Sequence, residues 1–287
     1  MPARQRDRPA TADGESIALF RETRETVLKA GPRIGNWEAI VVEREDIAPE
    51  VAGAGAFGPK SACERRILVG ICAYDEARKL DRTVKGFGAL TDVDVLVVDD
   101  GSTDGSIESL EPKICTVLRN DGNCGVGYSI RRVFLYARER GYDVVCLAAA
   151  NDKDRPEDIG RLVAPILAGM ADVVIGSRYA PGGAYGNMPL HRWVATRFVH
   201  PFFVLLLTRR WLSDTTNGFR AFRTACLDDS RLGLDQEWLD RYELEPYLLY
   251  KILTLGFRVT TVPVTKIYPP HVEGYSKIQP FTGWWSI

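Results

Sequence analysis

The chain has 287 residues, and its 37 basic and 38 acidic side chains leave a formal net charge of −1. That balance excludes a generally basic nucleic-acid binder and leaves only local basic patches to consider. The length suits one large domain or two small ones, with the composition of an ordinary globular protein. Cys63, Cys72, Cys115, Cys124, Cys146 and Cys226 are scattered without a CxxC pair. They are expected to be reduced thiols of a cytosolic protein, not a disulfide frame or a zinc site.

The opening "MPARQRDRPATADGES" is polar, without the apolar core of a signal peptide. In "ESIALFRETRETVLKAG", Ile17, Phe20, Val27 and Leu28 recur at helical spacing, with Gly31 as a stop. "WEAIVVERE" is a candidate strand, and "PEVAGAGAFGPKSA" reads as a linker. Residues 1–62 are therefore taken as an N-terminal extension, an arm placed on the body or on a second copy in a homodimer. Residues 63–287 are taken as one α/β domain.

From Arg66 the pattern alternates. "RILVGICAY", "VDVLVVDD", "ICTVLRN", "DVVCLAAA" and "ADVVIGSRY" read as apolar strands. Between them "KLDRTVKGFGAL", "DGSIESL", "GVGYSIRRVFLYARERG" and "RPEDIGRLVAPILAG" read as helices. Strands apolar along their whole length argue for a mostly parallel sheet covered on both faces. Ligands bind such sheets at the carboxyl ends of the strands. Here those ends are Ala73–Glu76, Asp99–Ser102, Asn120–Gly127 and Ala149–Asp154. "FVHPFFVLLL" is shorter than the roughly 20 apolar residues of a membrane span. It is either a core helix or a helix lying on a membrane face or subunit interface.

"VLVVDDGSTDGS" ends an apolar strand in two carboxylates and a Gly-Ser turn. Asp99 and Asp100 point to opposite faces, so they cannot share one role. A carboxylate there can accept hydrogen bonds from a base or ribose; a turn or helix cap, including Asp104 at Gly105, is the structural alternative. Together with "ICAYDEARKL" this stretch resembles the family 2 glycosyltransferases of GT-A fold, most of all the polyprenyl-phosphate (dolichol-phosphate mannosyltransferase-like) branch. "NDGNCGVGYSIRRVF", "DVVIGSRYAPGG", "HRWVAT", "SDTTNGFRAFR", "VTTVPVTKIYP" and "GYSKIQPFTGWWSI" resemble the later blocks in order. The likeness runs from about Arg66 to Ile287.

The resemblance implies transfer of a sugar, with inversion, from a GDP-mannose or UDP-glucose type donor to a polyprenyl phosphate. It implies a peripheral enzyme at the inner, cytoplasmic membrane face, assisted by Mg2+ or Mn2+. Ala73, Tyr74, Glu76, Asp99 and Asp100 would hold the nucleoside, and Lys277 the diphosphate, with His271 nearby. Arg178, Arg192 and Thr196 would hold the acceptor phosphate, two guanidiniums and a hydroxyl suiting an anion. Arg192 and Thr196 are spaced i, i+4, on one helix face. The structural alternative for Arg178 is a pair with a carboxylate.

An ionised phosphate needs no general base, and Asp214 would then position the arginines. A sugar-hydroxyl acceptor would need a base, for which Asp214 is the candidate; a cap on the Thr-Thr-Asn turn is its structural alternative. Of Glu243 and Glu245, on different faces of one helix, at most one serves the site. The family's Asp-x-Asp metal motif falls on Ala149-Ala150-Asn151, so both carboxylates are missing. Asn151 and Asp152 are the remaining metal candidates. Asp154 is read as a helix cap with Glu157 completing a capping box, and Lys153 is an alternative source of positive charge for the diphosphate. Three other readings stand: transfer to a soluble acceptor, a nucleotide-sugar-binding relic, and a nucleotidyltransferase, which would normally carry a Gly-rich phosphate loop after its first strand.

Overall fold

The computed structural model describes residues 65–268. The 1–62 extension with the homodimer it suggested, Cys63, His271 and Lys277 lie outside the described residues. Strands β1 (Ile67–Ala73), β2 (Asp94–Asp99), β3 (Thr116–Arg119), β4 (Val144–Ala149) and β5 (Val173–Ser177) fall where the apolar runs place them. With β7 (Arg220–Arg223) and β8 (Val259–Pro263) they form one sheet in the order β3-β2-β1-β4-β7-β5-β8. All neighbours are parallel except β7, which runs antiparallel to β4 and β5. Strands β6 (Ala184–Gly186) and β9 (Thr265–Ile267) make a small second sheet.

Side chains alternate across a strand, and both faces of this sheet are apolar. From β1, Val69 and Ile71 pack with Leu80, Val84 and Phe87 of α1 (Ala77–Gly88) and with Leu162 and Ile166 of α3 (Ile159–Leu167). Leu68, on the other face, joins Ile130, Val133 and Phe134 of α2 (Val126–Glu139) and Leu248 and Ile252 of α6 (Leu244–Thr254). Burying a side chain of this kind contributes about 1.5–3 kcal/mol, so the two-sided core holds the strand edges rigidly. The chain goes from β1 outward to β2 and β3, then returns to β4 on the opposite side of β1. That reversal opens a crevice at the carboxyl ends of β1 and β4.

One local expectation fails, and one left open is decided. "DGSIESL" forms turns instead of a helix; Asp104 accepts from Ser106 N–H at 3.0 Å and from Ala77 N–H, the first residue of α1, at 2.9 Å. "FVHPFFVLLL" is helical but not core. It belongs to a helical stretch made of α4 (Leu190–Val194), a π-helical turn Ala195–Val199 and α5 (His200–Thr208). Phe202, Phe203, Leu206 and Leu207 on it are exposed.

The Gly-x-Gly opening of α2 has a steric cause. Tyr128 N–H donates to Asp240 O at 2.9 Å. A Cβ on Gly127 would lie 1.9 Å from Leu239 O, and one on Gly125 2.3 Å from Asp240 O. Gly125 also has φ +106°, where side-chain-bearing residues are strained. The close approach brings Arg241 and Tyr242 to the crevice. Gly127→Ala is expected to cost about 1–3 kcal/mol by overpacking, read as a lower midpoint in urea. Gly160→Ala, with no atom within 4 Å of its Cβ, is the control and should not lower it.

Candidate active site

A cavity of about 490 Å³ opens at the β1–β4 carboxyl edge. Ala73 at the end of β1 and Tyr74, Asp75 and Glu76 beyond it line it, with Asp100 after β2, Gly125 just before α2, Ser129 on α2, Ala149 at the end of β4, and Asn151 and Lys153 beyond it. Lys79, Arg241, Tyr242 and Glu245 complete the wall. Ala73, Tyr74, Glu76 and Asp100 are thus brought together as expected. Glu245 faces the cavity and Glu243 does not line it. Lys79, Arg241 and Tyr242 escaped sequence reading; the two glycines that draw residues 239–241 close were the available signal for the last two.

The adjacent carboxylates divide their work. Asp100, buried yet on the cavity wall, accepts from Asn120 Nδ2 at 2.7 Å and from the N–H groups of Cys124 and Gly125, each at 2.9 Å. It therefore caps the start of α2 from a distance. Asp99 is fully buried, accepts from Ser102 N–H at 3.0 Å and lies 3.1 Å from Arg119 Nε. It does not line the cavity and instead fixes the turn that carries Asp100. Ser102 Oγ accepts from Asp75 N–H at 2.9 Å, joining the two strand-end turns.

The loop after β4 was the least determined part of the sequence. Asp152 does not line the cavity. Its backbone sits at φ +57°, and its carboxylate takes Arg82 Nε at 2.8 Å. Asp154 is not a helix cap: Arg155 stands at that place without a side-chain bond. Asp154, buried, accepts from Ala149 N–H at 3.0 Å and from Lys266 Nζ at 2.6 Å. Lys266 Nζ also reaches Asn217 Oδ1 at 3.0 Å. Asn151 alone of the two metal candidates keeps a place on the cavity, where its Oδ1 is buried without a hydrogen-bond partner. Mg2+ and Mn2+ want several hard oxygens and usually a carboxylate, and no group of three acidic, His or Cys side chains placed to hold a metal ion exists among the described residues. One amide oxygen beside a buried ammonium does not fit a resident dication. Burial first, then Lys266 and Arg192, push Lys153 down to about 8, with Glu76 opposing.

Beyond Lys153 lies a second cationic group. Lys153 Nζ is 5.2 Å from the Tyr268 ring centroid, and the Arg192 guanidinium is 5.4 Å from the same centroid. The Tyr268 hydroxyl accepts from Arg178 Nη1 at 2.9 Å. Tyr268, buried and missed in the sequence, thus links the cavity to the residues expected at an acceptor phosphate. Arg178 is nearly all consumed: Nε and Nη2 grip Asp214 at 2.7 and 2.8 Å, and Nη2 also reaches Thr216 Oγ1 at 2.7 Å. Burial works against its charge, but the Asp214 pair outweighs that and raises its pKa above the ordinary arginine value. Asp214 has no exposed surface, and Thr216 N–H occupies it further at 3.2 Å. Both structural alternatives, the pair and the turn cap, are realised. Thr196 lies in the π-helical turn, a feature frequent at functional sites; its hydroxyl bonds Arg192 O at 2.9 Å and the Tyr179 hydroxyl at 2.5 Å.

Breaking a buried ion pair by removing one partner costs about 3–5 kcal/mol. Asp214→Ala should therefore lose stability of that order in chemical denaturation. A variant as stable as the parent would mean that Asp214 is held for chemistry and not for Arg178.

Comparison with known proteins bears on this arrangement. The family model for glycosyl transferase family 2 matches residues 68–230. A polyprenol monophosphomannose synthase of Mycolicibacterium smegmatis is 32% identical, over 74% of this chain and 82% of its own. An undecaprenyl-phosphate mannosyltransferase of Micrococcus luteus is 33% identical, over 70% of this chain and 83% of its own. The crystal structure of Mycobacterium tuberculosis glucosyl-3-phosphoglycerate synthase, solved with Mn2+ and UDP, shares the fold. Its TM-score is 0.54 at 18% identity, covering 73% of this chain and 75% of that one. The apolar parallel sheet, the Asp100-capped crevice and the ordered motifs along it are those of a glycosyltransferase, and the chain belongs to glycosyltransferase family 2.

Proposed function

We propose that the chain moves a sugar from a nucleotide-diphosphate sugar, of the GDP-mannose or UDP-glucose type, to a polyprenyl phosphate, inverting the anomeric carbon. The names of the two relatives favour a mannosyl donor. In this reading Tyr74, Glu76, Ala73 and Asp100 receive the nucleoside, while Asp99 holds their turn. Lys277, outside the described residues, would contact the diphosphate in this reading. Arg192, with Arg178 and Thr196 beside it, receives the acceptor phosphate. A dication arriving with the donor would meet Asn151 Oδ1 and no carboxylate of that loop.

An acceptor phosphate oxygen forms the new bond to the anomeric carbon as the bond to the diphosphate breaks. The electron pair leaves with the nucleoside diphosphate. The ionised phosphate has no proton to lose, so no base is required. Asp214, without exposed surface and fully hydrogen-bonded, suits the positioning of Arg178 and not the deprotonation of a soluble hydroxyl acceptor.

One observation carries the lipid acceptor. Immediately after Arg192 and Thr196, the α4–α5 stretch exposes Phe198 (49%), Phe202 (58%), Leu206 (65%) and Leu207 (67%), followed by Trp211 (55%). Arg209 and Arg210 flank them, exposed. A contiguous apolar patch edged by arginines fits an anionic membrane surface. Among the described residues no helix is long and apolar enough to cross a membrane, so the contact is interfacial. We place it at the inner, cytoplasmic face.

Incubation with labelled GDP-mannose and UDP-glucose, against polyprenyl phosphate and against water-soluble hydroxyl acceptors, tests the reading. Label should appear in an organic-extractable phosphodiester; transfer only to soluble acceptors overturns it. Arg192→Ala should raise the acceptor KM by about 10-fold or more, since a charge-assisted hydrogen bond is worth about 1.5–3 kcal/mol, and leave the donor KM largely unchanged. Phe202→Glu with Leu206→Glu should weaken binding to phosphatidylglycerol vesicles at least about 10-fold while sparing transfer to a short, soluble prenyl phosphate. Unchanged vesicle binding would remove the membrane face.

A further inference from the structure

The loop after β4 offers the cavity a cation where a metal-binding loop would offer two carboxylates. Ala149 and Asn151, on which the resemblance places that motif's carboxylates, both line the cavity. The two acids left in the loop are engaged elsewhere, Asp152 with Arg82 at 2.8 Å and Asp154 with Lys266 at 2.6 Å. Between them Lys153, 6% exposed, lines the same cavity. Lys79 stands on the same wall, with Glu76 Oε2 3.5 Å from its ammonium. Among the charged groups acting on Lys153 are Lys266, Arg192 and Lys79, opposed by Glu76, and Asp75, Asp100 and Glu245 also line the cavity. Lys266 is balanced by Asp154 and Lys79 by Glu76, so the charge of Lys153, with Arg192 near the same Tyr268 ring, is what would disfavour a dication and attract a diphosphate.

We propose that Lys153, supported by Lys79, takes over the role of the divalent cation against the donor diphosphate, so that this chain binds its donor without metal. The proposal rests on the glycosyl-transfer reading above. It also explains why Asp154 can be committed to Lys266: no metal competes for it. Lys153 lies between the cavity and Tyr268, so its charge would stand beside the leaving diphosphate and near Arg192. Charge developing on the departing group is then met by a fixed ammonium, the role that preorganised donors fill in other transfer sites.

The test is binding of UDP and GDP to the full chain by isothermal titration calorimetry, with EDTA and then with excess Mn2+ or Mg2+. The wild type should bind one of the two with affinities agreeing within about 2-fold across these conditions. Lys153→Ala should lose about 10-fold or more in EDTA, and Lys153→Arg should recover most of the loss. Thermal unfolding of each variant without nucleotide identifies any that fails to fold, and the wild-type comparison stands without them. Binding that appears only with metal, or a folded Lys153→Ala that binds as the wild type does, overturns this inference and leaves the glycosyl-transfer reading intact. Absence of binding by either nucleotide, with and without metal, overturns both. A gain-of-metal variant supplies the converse: Ala149→Asp with Asn151→Asp and Lys153→Ala should make binding depend on Mn2+, and metal-independent binding by that variant would contradict the assignment.

Discussion

The Lys266–Asp154 ion pair, 2.6 Å long and buried, constrains the whole reaction edge. It joins β9 to the loop after β4, and Asn217 Oδ1 adds the turn that precedes β7. Asn217 Nδ2 in turn holds Gly176 O at 2.8 Å, so β5 is tied to the same knot. Taking two charges out of water is unfavourable unless their geometry and remaining hydrogen bonds are good. Here the Ala149 N–H completes Asp154. Once that carboxylate is committed, the loop's contribution to the cavity is set: an amide from Asn151 and an ammonium from Lys153.

A parallel knot fixes the far side. Arg178 and Asp214 neutralise each other in the interior, and Tyr268 reaches from that pair to Lys153 and Arg192. The three residues sit on separate segments, after β5, before β7 and after β9. Their alignment depends on the packed sheet rather than on local sequence. Two cationic groups thus meet at one tyrosine ring, Lys153 at 5.2 Å and Arg192 at 5.4 Å from its centroid. The exposed apolar helix follows Arg192 directly along the chain. Arg192 and the exposed apolar side chains are therefore carried by one continuous piece of backbone.

Much of this was legible in the chain itself. Five continuous apolar runs gave the parallel strands, and their polar, glycine-bearing ends gave the cavity wall at Ala73–Glu76, Asp100 and Ala149–Asn151. The rest depends on partners distant in sequence. "DRPE" looks like a helix start until Lys266, 112 residues on, captures Asp154. "RAFR" carries two arginines and does not read as an interior strand. It becomes one because Arg220 gives its buried N–H groups to the carbonyls of Asn217 and Thr215. Asp152 reads as the best charged ligand because "DRPE" makes Asp154 look like a helix cap, but a left-handed backbone and Arg82 turn it off the cavity. For "FVHPFFVLLL", apolar composition alone did not distinguish a core helix from a surface one; the exposure of Phe202, Phe203, Leu206 and Leu207 decides it.

The most direct test of the account is an experimental structure of the full chain with UDP or GDP and a short-chain polyprenyl phosphate, grown in the presence of Mn2+. The account predicts the nucleotide diphosphate within hydrogen-bonding distance of Lys153 Nζ, the acceptor phosphate on Arg192, and no metal bridging the diphosphate to the loop after β4. A Mn2+ ion seated on Asn151 or Asp152 with Lys153 turned away, or an acceptor phosphate bound away from Arg192, would contradict it.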